Sequence, residues 1–190
     1  MNKLFLFLDS IYPLSEGLRK ALMERLQVVE LTKKDFILKE GQISHNIYFI
    51  ESGFFKSYHL KEGKEITQWF MKEGDVIISV NSFYKQQRGY EYIQSMTDSI
   101  VHFISYDELQ FLYKNFAEFN FIGRVLTEQY YLLSEERLFG MRKQKAEERY
   151  QYLLQKNPEI LKHASLTDIA SYLGISLETL SRIRAKKIII

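Results

Sequence analysis

Apolar and polar residues alternate along this chain with two different periods, and the change of period divides it into regions. Leucines at helical spacing predict a short amphipathic helix over 15–28. From Leu31 to Ile104 the apolar positions form short runs of branched and aromatic residues, separated by glycines about ten to twelve residues apart. Strands of that length and spacing predict a small β-barrel of jelly-roll type, with a hairpin turn at Lys61–Lys64.

Helical spacing returns in the second half of the chain. Between Phe116 and about Phe139 it predicts one long helix, whose apolar stripe is wide enough for two neighbours, the barrel and a twin subunit. Packing on the barrel alone is the alternative. Gly140 then interrupts the pattern and predicts a hinge, followed by an amphipathic helix over 142–155 that Asn157–Pro158 ends. The stripe contains Phe119, Phe121, Ile122, Val125, Leu126, Leu132, Leu133 and Phe139.

The stretch from Ser165 to Ala185 fits a helix-turn-helix. Small Ala170 suits a close helix crossing, and Gly174 suits the tight turn. Ser165, with Asp168 three residues later, has the form of a capping box, and Ser176 is a ready N-cap for the second helix. The inward positions are Ile169, Leu173, Ile175, Leu180 and Ile183.

The outward face of that second helix suits DNA. Short polar residues would lie near base edges and cations near phosphates, as a recognition helix requires. Any packed helical hairpin could share the inward pattern, so the exposed face carries the interpretation. The outward residues are Leu177, Glu178, Ser181, Arg182 and Ala185, followed by the cations Lys186 and Lys187.

The distribution of charge also sets the C-terminal part of the chain apart. From Met141 onward the chain has ten Lys and Arg against five Asp and Glu, whereas the preceding part has 16 against 19. A basic C-terminal part favours a polyanionic partner for that part alone. The chain contains no cysteine, which excludes disulfides, cysteine-ligated iron–sulfur clusters and thiol switches.

Other classes of function find no support in the sequence. The four histidines are scattered without metal-ligand spacing, and no nucleophile elbow, phosphate loop or acid–base pair occurs. We therefore expect no metal, no cofactor and no catalytic residue, and the protein is not predicted to be an enzyme. The apolar run near the N-terminus is too short for a signal peptide, and no stretch has the length of a membrane span. A cytoplasmic protein without membrane contact is expected.

Two sets of residues resemble the Crp/Fnr family of transcription regulators. The spacing Ser176–x–Glu178–Thr179–x–x–Arg182 is similar to the family's recognition segment, in which the Glu and the Arg contact bases. Where family members often carry a further Arg, this chain has Leu177. The resemblance implies base contacts by Glu178 and Arg182. Together with the outward face and the cations that follow it, the predicted DNA-binding residues are Ser176, Leu177, Glu178, Thr179, Ser181, Arg182, Lys186 and Lys187.

The barrel region resembles the cyclic-nucleotide-binding domain of those regulators. Gly41, the run Tyr48–x–Ile50–x–x–Gly53, Gly63–Lys64–Glu65 and Gly74–Asp75 carry this resemblance. Its ligand cassette departs from the family, because Ile78 and Ser79 replace a Gly–Glu pair, and Gly89 and Tyr90 replace the Arg–Ser pair that holds the cyclic phosphate. Arg88 lies one place early, on the opposite strand face. The pocket candidates are Ile78, Ser79, Arg88, Gly89 and Tyr90.

Cyclic AMP is therefore not an expected ligand, because a buried phosphate needs a cation or several donors. The barrel could still take an unidentified small-molecule effector. Aromatic residues could line a pocket for it, but filling of the barrel interior is the favoured interpretation. These aromatic residues are Trp69, Phe83, Tyr84, Tyr90 and Tyr92.

The resemblance also decides the interpretation of the long helix, since the family uses the matching helix for a parallel two-fold dimer. It implies an interface through Phe119, Ile122, Leu126 and Leu133. The expected fold is α+β, with a jelly-roll barrel over 1–115, a dimerisation helix over 116–139 and a helix-turn-helix domain over 140–190. Family members add a β-hairpin wing after the recognition helix, whereas only AKKIII follows it here.

The predicted function is a homodimeric transcription regulator on a two-fold operator, not responsive to cyclic AMP. Its predicted partners are double-stranded DNA, a second copy of the chain, an unidentified effector and RNA polymerase. Leu177 and the short tail leave one alternative, a sensing or interaction module of the same fold that has lost DNA binding.

Overall fold

The eight strands found in the part of the chain that the structure describes form two antiparallel four-stranded sheets. The computed structural model describes residues 3–186. One sheet has the order β1-β8-β3-β6 and the other β2-β7-β4-β5, which is the jelly-roll barrel expected from the sequence. The strands are β1 (Gln27–Leu31), β2 (Phe36–Leu38), β3 (Asn46–Ser52), β4 (Phe54–Lys61), β5 (Lys64–Lys72), β6 (Val76–Ile77), β7 (Tyr92–Ser95) and β8 (Ser99–Ser105).

The hairpin turn predicted at Lys61–Lys64 is confirmed. It joins β4 to β5, with Lys61 paired to Lys64. Glu62 and Gly63 have φ angles of 53° and 76°, and positive φ at both central residues matches the right-handed twist of the two strands.

Four helices flank the barrel, namely α1 (Lys3–Ile11), α2 (Glu16–Arg25), α3 (Val80–Lys85) and α4 (Tyr106–Asn115). The apolar N-terminal run forms α1, whose Leu4, Phe5 and Leu8 are buried. The helix predicted over 15–28 ends at Arg25, because Gln27 already pairs with Phe103 in β1. The sequence interpretation overlooked α4, although Ser105 and Glu108 form a complete capping box at its start.

The long helix, α5 (Ala117–Lys143), continues through the predicted hinge. A glycine within a helix costs only about 1 kcal/mol relative to alanine, so Gly140 does not break it. The backbone leaves the helical region at Gln144, with φ −89° and ψ 146°. The boundary drawn at 139/140 therefore lies inside a helix, and the helix predicted over 142–155 begins only at Ala146.

Four helices complete the described chain, namely α6 (Ala146–Lys156), α7 (Ile160–His163), α8 (Leu166–Leu173) and α9 (Leu177–Lys186). They share a core centred on the fully buried Ile160, Ile169 and Leu180, to which Phe54 of β4 also belongs. As predicted, α6 ends where Asn157–Pro158 begins. None of the described helices is long and apolar enough to span a membrane.

Aliphatic residues and Phe55 fill the barrel interior, contrary to the expected aromatic set. Its buried residues are Leu38, Ile50, Phe55, Ile77, Ile93 and Val101. Tyr84 and Tyr90 are about half-exposed, at 49% and 51%, and Phe83 packs in the separate core formed with α1, α2, α4 and α5. The prediction failed for Phe83 and Tyr84 because they lie on the helix α3, where the alternation of a strand does not decide which side chains point into the barrel.

Candidate nucleic-acid interface and ligand cassette

The turn between α8 and α9 has the geometry that the sequence predicted. Gly174 has φ 66°, and the amide of Ile175 donates to the carbonyl of Ala170 across the turn (3.0 Å). Ser165 Oγ accepts from the amide of Asp168 (3.0 Å), and Ser176 Oγ accepts from that of Thr179 (3.1 Å). Both helices thus begin at a side-chain cap.

The predicted inward residues of the two helices pack together. Ile169 and Leu180 have no exposed surface, and Ala170, Leu173 and Ile183 are buried. The outward residues of α9 are all exposed, namely Leu177, Glu178, Ser181, Arg182 and Ala185.

Local hydrogen bonds order the start of this exposed face. Ser176 Oγ lies 3.0 Å from Thr179 Oγ1, and the guanidinium of Arg182 donates to Thr179 Oγ1 (3.2 Å). Arg182 is therefore held one turn from Glu178 on the same face. Lys186 is exposed at the end of α9, and Lys187 lies outside the described residues.

Two arginines fix the C-terminal end of α8. Arg149 donates from Nε and Nη2 to the carbonyl of Leu173, at 3.2 and 3.0 Å. Arg137 of α5 donates to the carbonyl of Tyr172 (3.3 Å). A cation at a helix C-terminus stabilises the partial negative charge of its free carbonyls. These contacts join α8 to both α5 and α6.

The helix-turn-helix also docks on the barrel, through a buried lysine. Lys56 of β4 is 8% exposed, and its ammonium lies 2.6 Å from Glu65 Oε2 and 2.8 Å from Asp168 Oδ1. Burial works to lower the pKa of Lys56, but the hydrogen bonds to Asp168 and Glu65 more than offset it, so that the pKa lies above its usual value. The charged form is thus the stable one.

The Ser171 side chain extends this contact along β5, the edge strand of its sheet, by bonding to two backbone groups. The amide of Thr67 donates to Ser171 Oγ (2.9 Å), and Ser171 Oγ donates to the carbonyl of Glu65 (3.2 Å). One side chain of α8 thereby satisfies two groups of an edge strand that would otherwise need water or another chain.

The five cassette residues are only partly brought together. Ser79 is buried, and a Cβ added to Gly89 would approach its Oγ to 3.7 Å. Arg88 is exposed, and Ile78 packs against the helical core outside the barrel. Tyr90 is half-exposed and meets the ring of His59 edge-on. The predicted pocket is therefore divided over different surfaces.

A carboxylate lies against one residue of the cassette. The hydroxyl of Ser79 donates to Glu91 Oε2. Sequence reasoning did not single out Glu91, although its place directly after Gly89–Tyr90 could have suggested it. A fixed negative charge at this point disfavours a phosphate group.

The four predicted interface residues of α5 differ in exposure. Phe119 and Ile122 are buried in the chain's own core, and Leu126 packs against that core. Leu133 is 41% exposed. Phe119 and Ile122 are thus occupied within one chain, because the stripe they share turns toward the barrel.

A second row on α5 is more exposed. Leu132 and Phe139 are each 60% exposed, and Phe121 is 40% exposed. With Val125 they lie at spacings of four and seven residues and form one face, which we call the α5 outer row. It lies beside the predicted set rather than on it.

Several residues that connect the parts of the molecule were missed in the sequence. Lys56, Glu65 and Ser171 join segments more than 100 residues apart, so no local pattern links them. The one signal was a charged lysine inside the aromatic-rich strand sequence FFKSYHL. Among the described residues, no group of His, Asp and Glu side chains is arranged to hold a metal ion.

Comparison with known proteins agrees with this architecture. Residues 28–116 match the sequence profile of the cyclic nucleotide-binding domain. No curated protein matches the chain in sequence.

Solved structures cover much more of the chain. FixK2 from Bradyrhizobium japonicum is 20% identical with a TM-score of 0.70, over 85% of this chain and 83% of that one. The c-di-GMP-responsive global regulator CLP from Xanthomonas campestris is 17% identical with a TM-score of 0.68, over 90% and 91%. A Crp/Fnr-family protein from Eubacterium rectale is 17% identical with a TM-score of 0.72, over 92% and 84%. Residues 28–116 are therefore similar in sequence to a cyclic nucleotide-binding domain, and the chain has the fold of the Crp/Fnr regulators.

Proposed function

We propose that the chain is a DNA-binding transcription regulator that acts as a homodimer on a two-fold operator. The exposed face of α9 carries this proposal. It combines a capped start, polar residues at Glu178 and Ser181, and an arginine held in place at Arg182. These are the groups that a helix in the major groove uses toward base edges and phosphates.

The α5 outer row supports the homodimer. Phe121, Leu132 and Phe139 form an apolar row on a 27-residue helix, on the side that the barrel leaves open. A two-fold axis along α5 would cover this row with its own copy and present two α9 helices to one duplex. Leu126 and Leu133 would lie at the margin of that interface.

Cyclic AMP is not the effector in this proposal. The carboxylate of Glu91 lies against Ser79, whereas Arg88 is exposed. A cyclic phosphate entering the cassette would meet a like charge, and Arg88, the one cation among the predicted pocket residues, is exposed and does not offset the charge of the phosphate. Regulation then depends on a different effector or on none.

DNA selection from random duplexes tests the function directly. The chain should enrich a sequence with two inverted half-sites, one turn of DNA apart or a multiple of it, and bind it with strong salt dependence. Lys20→Ala, which removes an exposed cation on α2 far in sequence from α9, serves as the control and should bind equally. If no duplex is retained or enriched, the result would support the alternative, a sensing or interaction module of the same fold that has lost DNA binding.

Sedimentation tests the homodimer. Leu132→Glu places a charge in the α5 outer row and should yield monomers, since a buried unpaired charge is strongly unfavourable. Tyr131→Glu is the matched control, because Tyr131 is equally exposed (64%) but lies about 100° around the helix. If both variants remain dimeric, the interface lies elsewhere.

Two further predictions depend on this function. A transcription regulator meets RNA polymerase at promoters, so RNA polymerase remains a predicted partner. Binding to chromosomal DNA also places the protein in the cytoplasm.

A further inference from the structure

A cleft of about 330 Å³ lies where the barrel, α5 and the C-terminal helices meet. Pockets for small ligands commonly have about 300–1,000 Å³, mainly apolar walls and a few polar groups. This cleft lies outside the barrel interior and outside the ligand cassette, apart from Ile78 on its wall. Its apolar walls include Trp69, Met71, Tyr130, Leu133, Leu153 and Tyr172.

Arg137 is the main polar group of the cleft. Its guanidinium lies 3.9 Å from the ring of Tyr172 and 5.1 Å from that of Trp69. Nη2 donates to the carbonyl of Tyr172, whereas Nη1 is shielded from solvent and has no hydrogen-bond partner within residues 3–186. A buried donor without an acceptor is uncommon in folded proteins, and an anionic oxygen is the acceptor that suits a guanidinium best.

A second buried group in the cleft also lacks a partner. Asn157 is 8% exposed, and its Oδ1 has no donor within the described chain. The two acids of the cleft are already engaged, since Asp75 accepts from the amide of Lys72 (2.9 Å) and Glu136 accepts from the hydroxyl of Tyr152. The lining cations outnumber these acids, and they are Lys72, Arg137, Arg149 and Lys156.

From this arrangement we infer that the cleft is a binding site for an organic monoanion with an apolar body. The carboxylate or other anionic head accepts from Arg137 Nη1, and the apolar body lies along the walls formed by Trp69, Leu133 and Leu153. A head group that also carries a hydroxyl or amide donor can reach Asn157 Oδ1. An inorganic anion would leave the apolar walls in contact with water.

A ligand in this cleft would contact three parts of the molecule, namely the barrel, α5 and the C-terminal helices. The walls come from β5, α5, α6 and α8, and Arg137 already bonds to the last turn of α8. A ligand bound there therefore contacts both the barrel and the helix-turn-helix. Its regulatory role rests on the proposed DNA binding, whereas binding of the ligand does not.

Trp69 allows the site to be tested, because it is the single tryptophan of the chain and lines the cleft. The probe is 8-bromooctanoate, whose bromine quenches tryptophan emission on close approach, and 8-bromo-1-octanol is its uncharged counterpart. The acid should quench Trp69 saturably and at lower concentration than the alcohol. In Arg137→Gln the half-quenching concentration of the acid should rise by about tenfold or more, and that of the alcohol should not change.

Two variants complete the design. Arg142→Gln removes an exposed arginine of the same helix that does not line the cleft, and it should match the unmodified chain. Asn157→Asp adds a negative charge to the cleft and should weaken binding of the acid alone at pH 8, where carboxylates are ionised. If Arg137→Gln unfolds at too low a temperature to be measured, the quenching of Asn157→Asp by the acid and by the alcohol tests the site in its place.

Equal quenching by acid and alcohol in the unmodified chain would overturn the inference, as would an equal effect of Arg142→Gln or the lack of saturation. Saturable, Arg137-dependent quenching by a chain that selects no DNA sequence would leave the site standing and remove the proposed function instead.

Discussion

The helix-turn-helix and the ligand cassette differ in the sequence separation between the residues that form them. Residues 165–185 supply both helices, both caps and the turn, and the hydrogen bonds of the caps and of the turn span no more than five residues. The cassette brings Ser79 to Glu91 and Gly89 to Gly41 and Gln42, across loops and strand ends. The first site could therefore be predicted in detail, and the second only as a departure from a pattern.

Local capping interactions therefore shape the two helices, but they do not determine where the helix-turn-helix packs against the rest of the chain. The helix-turn-helix packs in a core that includes Phe54 of the barrel, and Lys56 and Ser171 tie it further to the barrel through contacts that its sequence does not reveal. The following predictions separate local from long-range contributions, in order of decreasing effect.

Removal of the buried lysine should have the largest effect. Lys56→Ala leaves Asp168, whose side chain is only 13% exposed, without its cation, and should lower the free energy of unfolding by about 3–5 kcal/mol. Urea denaturation measures this difference, with Lys64→Ala at the exposed hairpin as the control. A loss below about 1 kcal/mol would show that the pair behaves as a surface salt bridge.

The same ion pair has a defined pH dependence. The folded-state pKa of Lys56 is raised, so its stabilising contribution is fully present below the ordinary lysine pKa of about 10.4 and is lost as pH rises through the folded value. Denaturation curves between pH 7 and pH 9 should therefore show a constant difference between Lys56→Ala and the unmodified chain.

DNA recognition tests the exposed face of α9. Arg182→Ala should cost about 1–3 kcal/mol of binding and reduce discrimination between the selected operator and a one-base variant. Lys186→Ala should weaken both duplexes alike and reduce the salt slope by about one unit. Titrations on both duplexes at several salt concentrations measure this. Equal weakening by Arg182→Ala would make Arg182 a phosphate contact.

The turn itself should show a smaller effect. Gly174→Ala puts a side chain at φ 66° and its Cβ 2.7 Å from Met141 Cε, the flexible end of a side chain that can shift. We expect a loss of about 1–2 kcal/mol in the free energy of unfolding, since a left-handed alanine costs about 1 kcal/mol. Gly63→Ala, also at positive φ but with open space around its Cβ, isolates the backbone part.

The smallest effect is expected from cyclic AMP. A ligand that binds only the folded state raises the melting temperature by mass action. With Glu91 in the cassette, cyclic AMP at millimolar concentration should leave the melting temperature and operator affinity unchanged. A clear rise in either would show that Arg88 moves into the cassette.

The sequence determined the jelly-roll class, the Lys61–Lys64 turn and the two capped helices around Gly174. Each of these follows from periodicity or from residue types that a nearby backbone geometry demands, so neighbours in sequence suffice. It also indicated the end of α6 at Asn157–Pro158. The sequence did not predict that α5 continues through Gly140, because the small cost of one glycine is outweighed by packing along the whole helix.

Tertiary structure alone decided which apolar residues of α5 face the barrel and which remain exposed, since a wide stripe is compatible with several rotations of the helix. It also decided that Glu91 meets Ser79, that Lys56 meets Asp168, and that Arg137 lies between two rings at the cleft. These contacts join residues from separate elements, and their energies depend on burial and distance, which appear only once the chain is folded.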